Sequence, residues 1–223
     1  MFGEVDGEKG AWGHALGGMG SITNIMKTVC EENGVDISTK TSVSRVLIEN
    51  NKATGVKIDD GSVIHSDKVV SNLNPKLLFN KLVNKEDVDK EYLRKILNYK
   101  CGSGTFRMNV ALSELPDFTC LPGKIASDHH KSGIVIAPTL TYMDKAFTDA
   151  KQYGWSKNPI VEMLIPSTVD PSLAPKGKHV ASLFCQQFAP VLPRDKSWHR
   201  EKENAASTII DTCLLYTSPS PRD

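Results

Sequence analysis

The chain has 223 residues, enough to bury a core in one or two domains. Its composition is 39% hydrophobic and 24% charged with 16 Gly and 12 Pro, which excludes collagen-like, coiled-coil and wholly disordered classes. Lysine plus arginine is 27 against 26 acidic residues, a net charge of +1, so there is no electrostatic footprint for nucleic acid or an anionic membrane surface.

No apolar stretch approaches the roughly 20 residues of a transmembrane helix, and Met1-Phe2-Gly3-Glu4 lacks the basic and apolar regions of a secretory signal, so the chain reads as soluble. Five cysteines (Cys30, Cys101, Cys120, Cys185 and Cys213) include no C-x-x-C pair, and no histidine pair stands at finger-like spacing. No metal site is expected. The thiols read as buried or half-buried in a reducing compartment: the cytoplasm, or the mitochondrial matrix in a eukaryote.

Along the chain, the first ten residues are polar and read as loop. A small-residue run follows: Gly10-Ala11-Trp12-Gly13-His14-Ala15-Leu16-Gly17-Gly18-Met19-Gly20. Ile22, Ile25, Met26, Val29 and Cys30 then recur on one helical face, with Ser21 as predicted N-cap and Gly34 as the stop. Residues 35–37 read as a short apolar strand. Strands are predicted at 43–48 and 53–58 across Asn50-Asn51, and Asp60-Gly61 turns into a third at 63–65. Residues 68–71 read as one more buried strand, ending at Asn72-Leu73-Asn74-Pro75. From 75 to 98 the pattern is helical, and Cys101-Gly102-Ser103-Gly104 breaks it.

Residues 105–112 alternate Phe106, Met108, Val110 and Leu112 with polar positions, a half-buried strand. Further strands are expected at 133–137, 160–165 and 179–188, and helices at 144–153 and 197–213. The predicted class is therefore an α/β module followed by an α+β layer with a mainly antiparallel sheet, divided near 98–104 into residues 1–98 and 99–213. Residues 214–223 form a Ser/Pro tail unlike anything before it. They resemble translated sequencing-adaptor read-through and are set aside as non-native, which would make the chain a fragment.

Chemistry-bearing motifs are few. Gly18-Met19-Gly20-Ser21-Ile22-Thr23 is one residue off the dinucleotide fingerprint, but no strand precedes it and no acid follows at the required distance. Three readings stand: a phosphate site, a tight turn packed on a helix, or a loop whose missing side chains let a flat ligand approach. His129-His130 lies in a polar loop where adjacent side chains diverge, which argues against a metal. No G-x-S-x-G elbow, H-E-x-x-H or P-loop occurs, so no nucleophile or general base is identified. Trp12, Trp155 and Trp198 read as packing residues. Arg107, on the polar face of its strand, reads as solvated, with an anionic substrate as the other use.

Taken together, Gly10-Ala11-Trp12-Gly13 with Gly17-Gly18-Met19-Gly20-Ser21-Ile22 resembles the phytoene-desaturase-like flavin oxidoreductases. The resemblance continues through Gly55-Val56, Asp60-Gly61, Val69-Val70-Ser71-Asn72 and Pro75, then Pro159 to Ser167 and Asp170 to Val180, in order. It implies a middle fragment: a partial FAD-binding domain, Rossmann-like and of the amine-oxidase type with its β-meander, then a substrate domain. By the same resemblance, the backbone of Val43 would contact adenine, and Ser71 and Asn72 would sit near the phosphate and ribose. Gly17 and Gly18 would face the isoalloxazine, with Met19 and Ser21 lining the substrate pocket.

The implied partner is a small-molecule substrate, hydrophobic or amine-bearing, from which FAD removes hydride, the protein supplying position and a dry pocket. The alternatives are a binding module without flavin and a flavin-dependent polyene isomerase. This chain alone is expected to be inactive.

Overall fold

The computed structural model describes residues 4–5, 7–10, 13–102, 104–193 and 196–217. They fall into two compact units: residues 29–101, and residues 1–28 together with 102–223. Near the start, β1 (Glu4–Val5) pairs with β2 (Glu8–Lys9), so the expected loop contains a small hairpin.

Helix α1 (Gly20–Glu32) begins one residue before the predicted cap. Ser21 lies inside its first turn, where its Oγ donates to the Gly18 carbonyl at 2.7 Å. The helix ends as expected: Gly34 has φ +78°, and the Val35 amide bonds back to the Cys30 carbonyl at 3.0 Å. The apolar stripe of α1 forms as the spacing predicts, yet no residue of the helix is buried. Ile22, Ile25, Met26 and Val29 stay exposed, because an amphipathic face is hidden only where another element covers it.

In the unit 29–101, β3 (Val43–Glu49), β4 (Lys52–Ile58) and β5 (Val63–His65) form the predicted antiparallel meander. Asn50 and Asn51 carry φ of 49° and 62°, the pair of left-handed residues that a tight hairpin with right-twisted strands requires. Gly55 of β4 lies so close to the Ile64 carbonyl of β5 that any Cβ would collide with it. Val46, Ile58 and Val83 are the buried apolar residues here.

Neither the short strand expected at 35–37 nor the buried strand expected at 68–71 forms. Those residues are irregular, and Val70 is 95% exposed. A β-branched run becomes a strand only where a neighbouring strand accepts its peptide groups, and none does so among the described residues. The helical stretch 75–98 is also interrupted. It comprises α2 (Pro75–Leu77), a π-helical continuation (Leu78–Leu82), a 3-10 turn (Lys85–Asp87) and α3 (Lys90–Asn98). Val83 and Val88 are extended, and Asp89 restarts the helix by accepting from the Tyr92 amide at 2.8 Å.

The other unit is built on a four-stranded antiparallel sheet in the order β6-β9-β8-β7, from β6 (Phe106–Leu112), β7 (Ile134–Ile136), β8 (Trp155–Leu164) and β9 (His179–Phe188). Between them lie the one-turn helix α4 (Asp128–Lys131) and the longer α5 (Leu140–Tyr153). Helix α6 (Trp198–Leu215) follows. Thr139 caps α5 by accepting from the Tyr142 amide, and left-handed Gly154 (φ +95°) ends it. β6 alternates in burial as predicted, and β9, expected only as a strand, alternates through its middle as well. Val161, Ala181, Leu183 and Cys185 of the sheet meet Ala205 and Ile209 of α6 in one core. Its aromatic corner holds Trp155 stacked on Phe188 at 6.1 Å, and Trp198 Nε1 donates to the Ala189 carbonyl at 2.8 Å.

The segment 214–223 is not wholly apart from the fold. Leu214 and Leu215 complete α6, and Thr217 forms a β-bridge with Phe118. The Thr119 amide also donates to the Tyr216 carbonyl, so backbone pairing ties the end of the helix down. Ser218 onward lies outside the described residues. Every ladder among the described residues is antiparallel, and the parallel sheet of a Rossmann-like domain is not among them. Among these residues, no helix is long and apolar enough to cross a membrane.

Candidate functional site

The glycine loop is a chain of local turns. The Gly18 amide donates to the Ala15 carbonyl at 3.0 Å and the Ser21 amide to the Gly18 carbonyl at 3.1 Å. Gly17 and Gly18 have φ of +83° and +84°, the left-handed region that favours glycine. The Gly17 amide leaves the loop and donates to Asp170 Oδ2 at 2.7 Å. His14 Nε2 stands 4.0 Å from the same oxygen.

Asp170 is 2% exposed and caps a 3-10 turn (Pro171–Leu173), with proline at the first position where its missing N–H costs nothing. The carboxylate accepts from the Ser172 hydroxyl at 2.6 Å and the Ser172 amide at 3.0 Å. The Ser172 hydroxyl, and then the Gly17 and Ser172 amides and His14, hold its carboxyl below the usual range against the opposing effect of burial. Leu173 forms a floor: a Cβ on Gly18 would lie 3.4 Å from its Cδ2.

Asp170 was not singled out from the sequence. Its Asp-Pro-Ser cap is a local signal, but nothing local ties it to a glycine 153 positions away. The arrangement also weighs among the three readings of the loop. The Gly17 amide is spent on the protein's own carboxylate, and an incoming phosphate would face that negative charge, so the loop is a poor phosphate cradle. What it presents outward is apolar, with Leu16 75% and Met19 70% exposed. Ser21 is half-buried, its hydroxyl turned back to the loop. Ala11 and Trp12 lie outside the described residues.

Val43, Ser71 and Asn72 come together in the unit 29–101, where they line a cavity of about 520 Å³ with Val46, Val56 and Leu78 among its walls. The reason differs from the one expected: Ser71 and Asn72 sit in an irregular turn rather than at a strand end. Ser71 Oγ accepts from the Leu73 amide at 3.2 Å and keeps its own proton to donate. The Asn72 amide group has no hydrogen-bond partner among the described residues. β3 is an edge strand, so about half of its peptide groups turn away from β4. An apolar wall, an edge of unpaired peptide groups, a hydroxyl and an amide suit a flat heteroaromatic ring with a polyhydroxylated tail. The donor set therefore fits the adenosine part of a dinucleotide.

Other singled-out residues behave as framework. His130 is fully buried, its Nδ1 accepting from the Ser127 amide at 3.3 Å and its Nε2 lying 2.9 Å from the Pro116 carbonyl. A carbonyl only accepts, so Nε2 carries the proton. The rings of His129 and His130 do not diverge: their centroids are 3.9 Å apart, because both sit on α4 against Phe118. No cluster of three metal-ligating side chains exists among the described residues. Arg107 is exposed with its guanidinium 5.5 Å from the Phe184 ring centre. Of the thiols, Cys101 and Cys120 are exposed rather than buried, since both lie in loops, whereas burial pushes Cys185 up to about 12 and Cys213 to about 11.

Comparison with known proteins points to a family. Residues 2–105 match the family described as flavin containing amine oxidoreductase. A mouse protein named pyridine nucleotide-disulfide oxidoreductase domain-containing protein 2 is 30% identical over 224 residues, covering 98% of this chain and 39% of its own. Carrot prolycopene isomerase is 24% identical, covering 92% of this chain and 31% of its own. The 4,4'-diapophytoene desaturase of a Methylomonas species is 29% identical, covering 89% and 36% respectively.

The crystal structure of an oxidoreductase from Methanosarcina mazei superposes with a TM-score of 0.60 at 23% identity, over 89% of this chain and 39% of that one, and so shares the fold. The chain thus spans well under half the length of the relatives it matches. Residues 2–105, just under half of the chain, thus match the flavin containing amine oxidoreductases, and the relatives similar to the chain along nearly its whole length include a prolycopene isomerase and a diapophytoene desaturase.

Proposed function

We propose that this chain is the middle part of an FAD-dependent oxidoreductase that removes hydride from a hydrophobic substrate, with residues 1–98 contributing to the FAD-binding domain and 99–213 to the substrate domain. The observation that carries the reading is the shared cavity of Val43, Ser71 and Asn72 in a chain whose residues 2–105 match a flavin family. The edge of β3 at Val43 would hydrogen-bond the adenine through its backbone, and Ser71 and Asn72 would hold the ribose and phosphate end. Bound there, FAD would supply the hydride-accepting ring.

By the family resemblance, the loop at Gly17 and Gly18 would face a flavin ring, with Met19 and Ser21 on the substrate side. The apolar groups this loop turns outward, Leu16 and Met19, favour a hydrocarbon-like substrate over a small amine. A second reading, flavin-dependent isomerisation of a polyene, is supported by the relatives named prolycopene isomerase.

The test is made on the intact protein that contains this chain. It should purify yellow, release FAD rather than FMN on denaturation, and lose flavin occupancy on Asn72→Ala. Anaerobic addition of a polyene should bleach the flavin absorbance, and an amine should not. An intact protein without flavin, or one carrying FMN, overturns the reading. Conversion of a cis polyene without net oxidation selects the isomerase.

A further inference from the structure

The Asp170 carboxylate draws together parts of the chain that no sequence motif connects. It takes the Gly17 amide on Oδ2 and the Ser172 hydroxyl and amide on Oδ1, while His14 stands beside Oδ2. Leu173, three residues on, is the floor beneath Gly18.

The segment 166–173 that carries Asp170 is itself anchored on both sides. Ser167 Oγ accepts from the Val180 amide at 3.0 Å at the start of β9, and Thr168 Oγ1 shares its single proton between the carbonyls of Ile165 at 2.7 Å and His130 at 3.1 Å. His130 is in turn locked by the Pro116 carbonyl and the Ser127 amide. Glycine loops with two left-handed residues have many conformations available, and a single charge-assisted bond to an anchored carboxylate selects one.

We propose that Asp170 is a positioning residue that buckles the glycine loop to the β8–β9 connection, so that loop and connection keep one geometry and Leu16 and Met19 are presented toward the ligand on a fixed base. Asp170 touches no reacting atom; it acts through Gly17. The buckle stands on the geometry alone, and only its consequence for turnover rests on the flavin reading.

Two measurements separate them. In the intact protein that contains this chain, amide hydrogen exchange at Gly17 should speed up roughly tenfold or more in Asp170→Asn, which loses the charge and keeps one acceptor oxygen for the three donors that the carboxylate serves, while β9 amides keep their protection. Leu173→Ala, which leaves every hydrogen bond to Asp170 in place, should loosen Gly18 and leave Gly17 protected. Should Asp170→Asn not fold, Ser172→Ala serves in its place, since it removes one bond to the carboxylate and should raise Gly17 exchange by a smaller factor. Unchanged Gly17 exchange in a folded variant overturns the buckle.

In the intact protein, Asp170→Asn should raise KM for the substrate several-fold with kcat changed little and the melting temperature nearly preserved. An unchanged KM overturns the positioning role. An intact protein that binds no flavin overturns the functional reading instead, and the exchange result still decides the buckle.

Discussion

Gly17 N–H points at Asp170 Oδ2 from 2.7 Å, and the two residues are 153 positions apart. The bond needs an ionised carboxylate, and the folded chain holds that carboxyl below its ordinary value of 3.8. The unfolded chain therefore takes up the proton at higher pH than the folded one. The contribution is complete above the ordinary value and is lost as pH falls through the lower folded value. Titrating the Gly17 amide resonance from about pH 5 downward should show the loop released in acid, with Asp170→Asn already released at neutral pH. A Gly17 resonance identical in both proteins at neutral pH would contradict this.

The cavity at Val43 predicts an asymmetry between two substitutions. If adenine meets only the backbone of β3, Val43→Thr keeps a strand-forming residue and should leave FAD affinity of the intact protein nearly unchanged. Asn72→Ala removes an amide with no other partner and should weaken it roughly tenfold, the scale of one or two hydrogen bonds. Isothermal titration of the flavin-free intact protein distinguishes the two, and equal losses would mean that Val43 contributes through its side chain.

Thiol chemistry should divide the cysteines by burial. Cys101 and Cys120 are exposed and should react quickly with a disulfide reagent at neutral pH. Cys185 and Cys213, pushed up to about 12 and about 11 by burial, should react only on unfolding. Because the folded state favours their neutral thiols, that contribution is full below the ordinary value of 9.0 and is lost as pH rises through the folded values. Mass spectrometry of labelled peptides measures the order of reaction.

Packing makes its own predictions. Ile209 of α6 is fully buried against the sheet, and Ile209→Ala should cost about 2–5 kcal/mol in urea unfolding followed by Trp155 and Trp198 fluorescence. Gly55→Ala would drive a Cβ into the Ile64 carbonyl and should cost about 1–3 kcal/mol, read from the exchange of β4 and β5 amides. A wild-type midpoint in Ile209→Ala would mean that the α6–sheet contact is dispensable.

Much of the fold was legible because its signals are short-range. The alternation in β6, the Asn50-Asn51 hairpin and the Gly34 stop are consequences of residue chemistry over a few positions, and each appears where expected. Local signals failed where a partner decides the outcome. Among the described residues, 68–71 have strand-like side chains but no strand beside them, and nothing covers the stripe of α1, so both stay open.

The candidate site divides along the same line. Val43, Ser71 and Asn72 were found through resemblance, and only the tertiary structure gathers them around one cavity by way of an irregular turn. Asp170 could not be found, since its cap is local while its bond to Gly17 spans most of the chain. By itself the sequence determined the meander, the main strands and long helices of the second half with their antiparallel character, and the flavin-oxidoreductase resemblance, because these reside in periodicity, turn chemistry and ordered motif residues. Tertiary structure alone decided which amphipathic faces are covered and which carboxylate closes the glycine loop. Burial and long-range hydrogen bonds are properties of pairs, and a single segment carries only half of each.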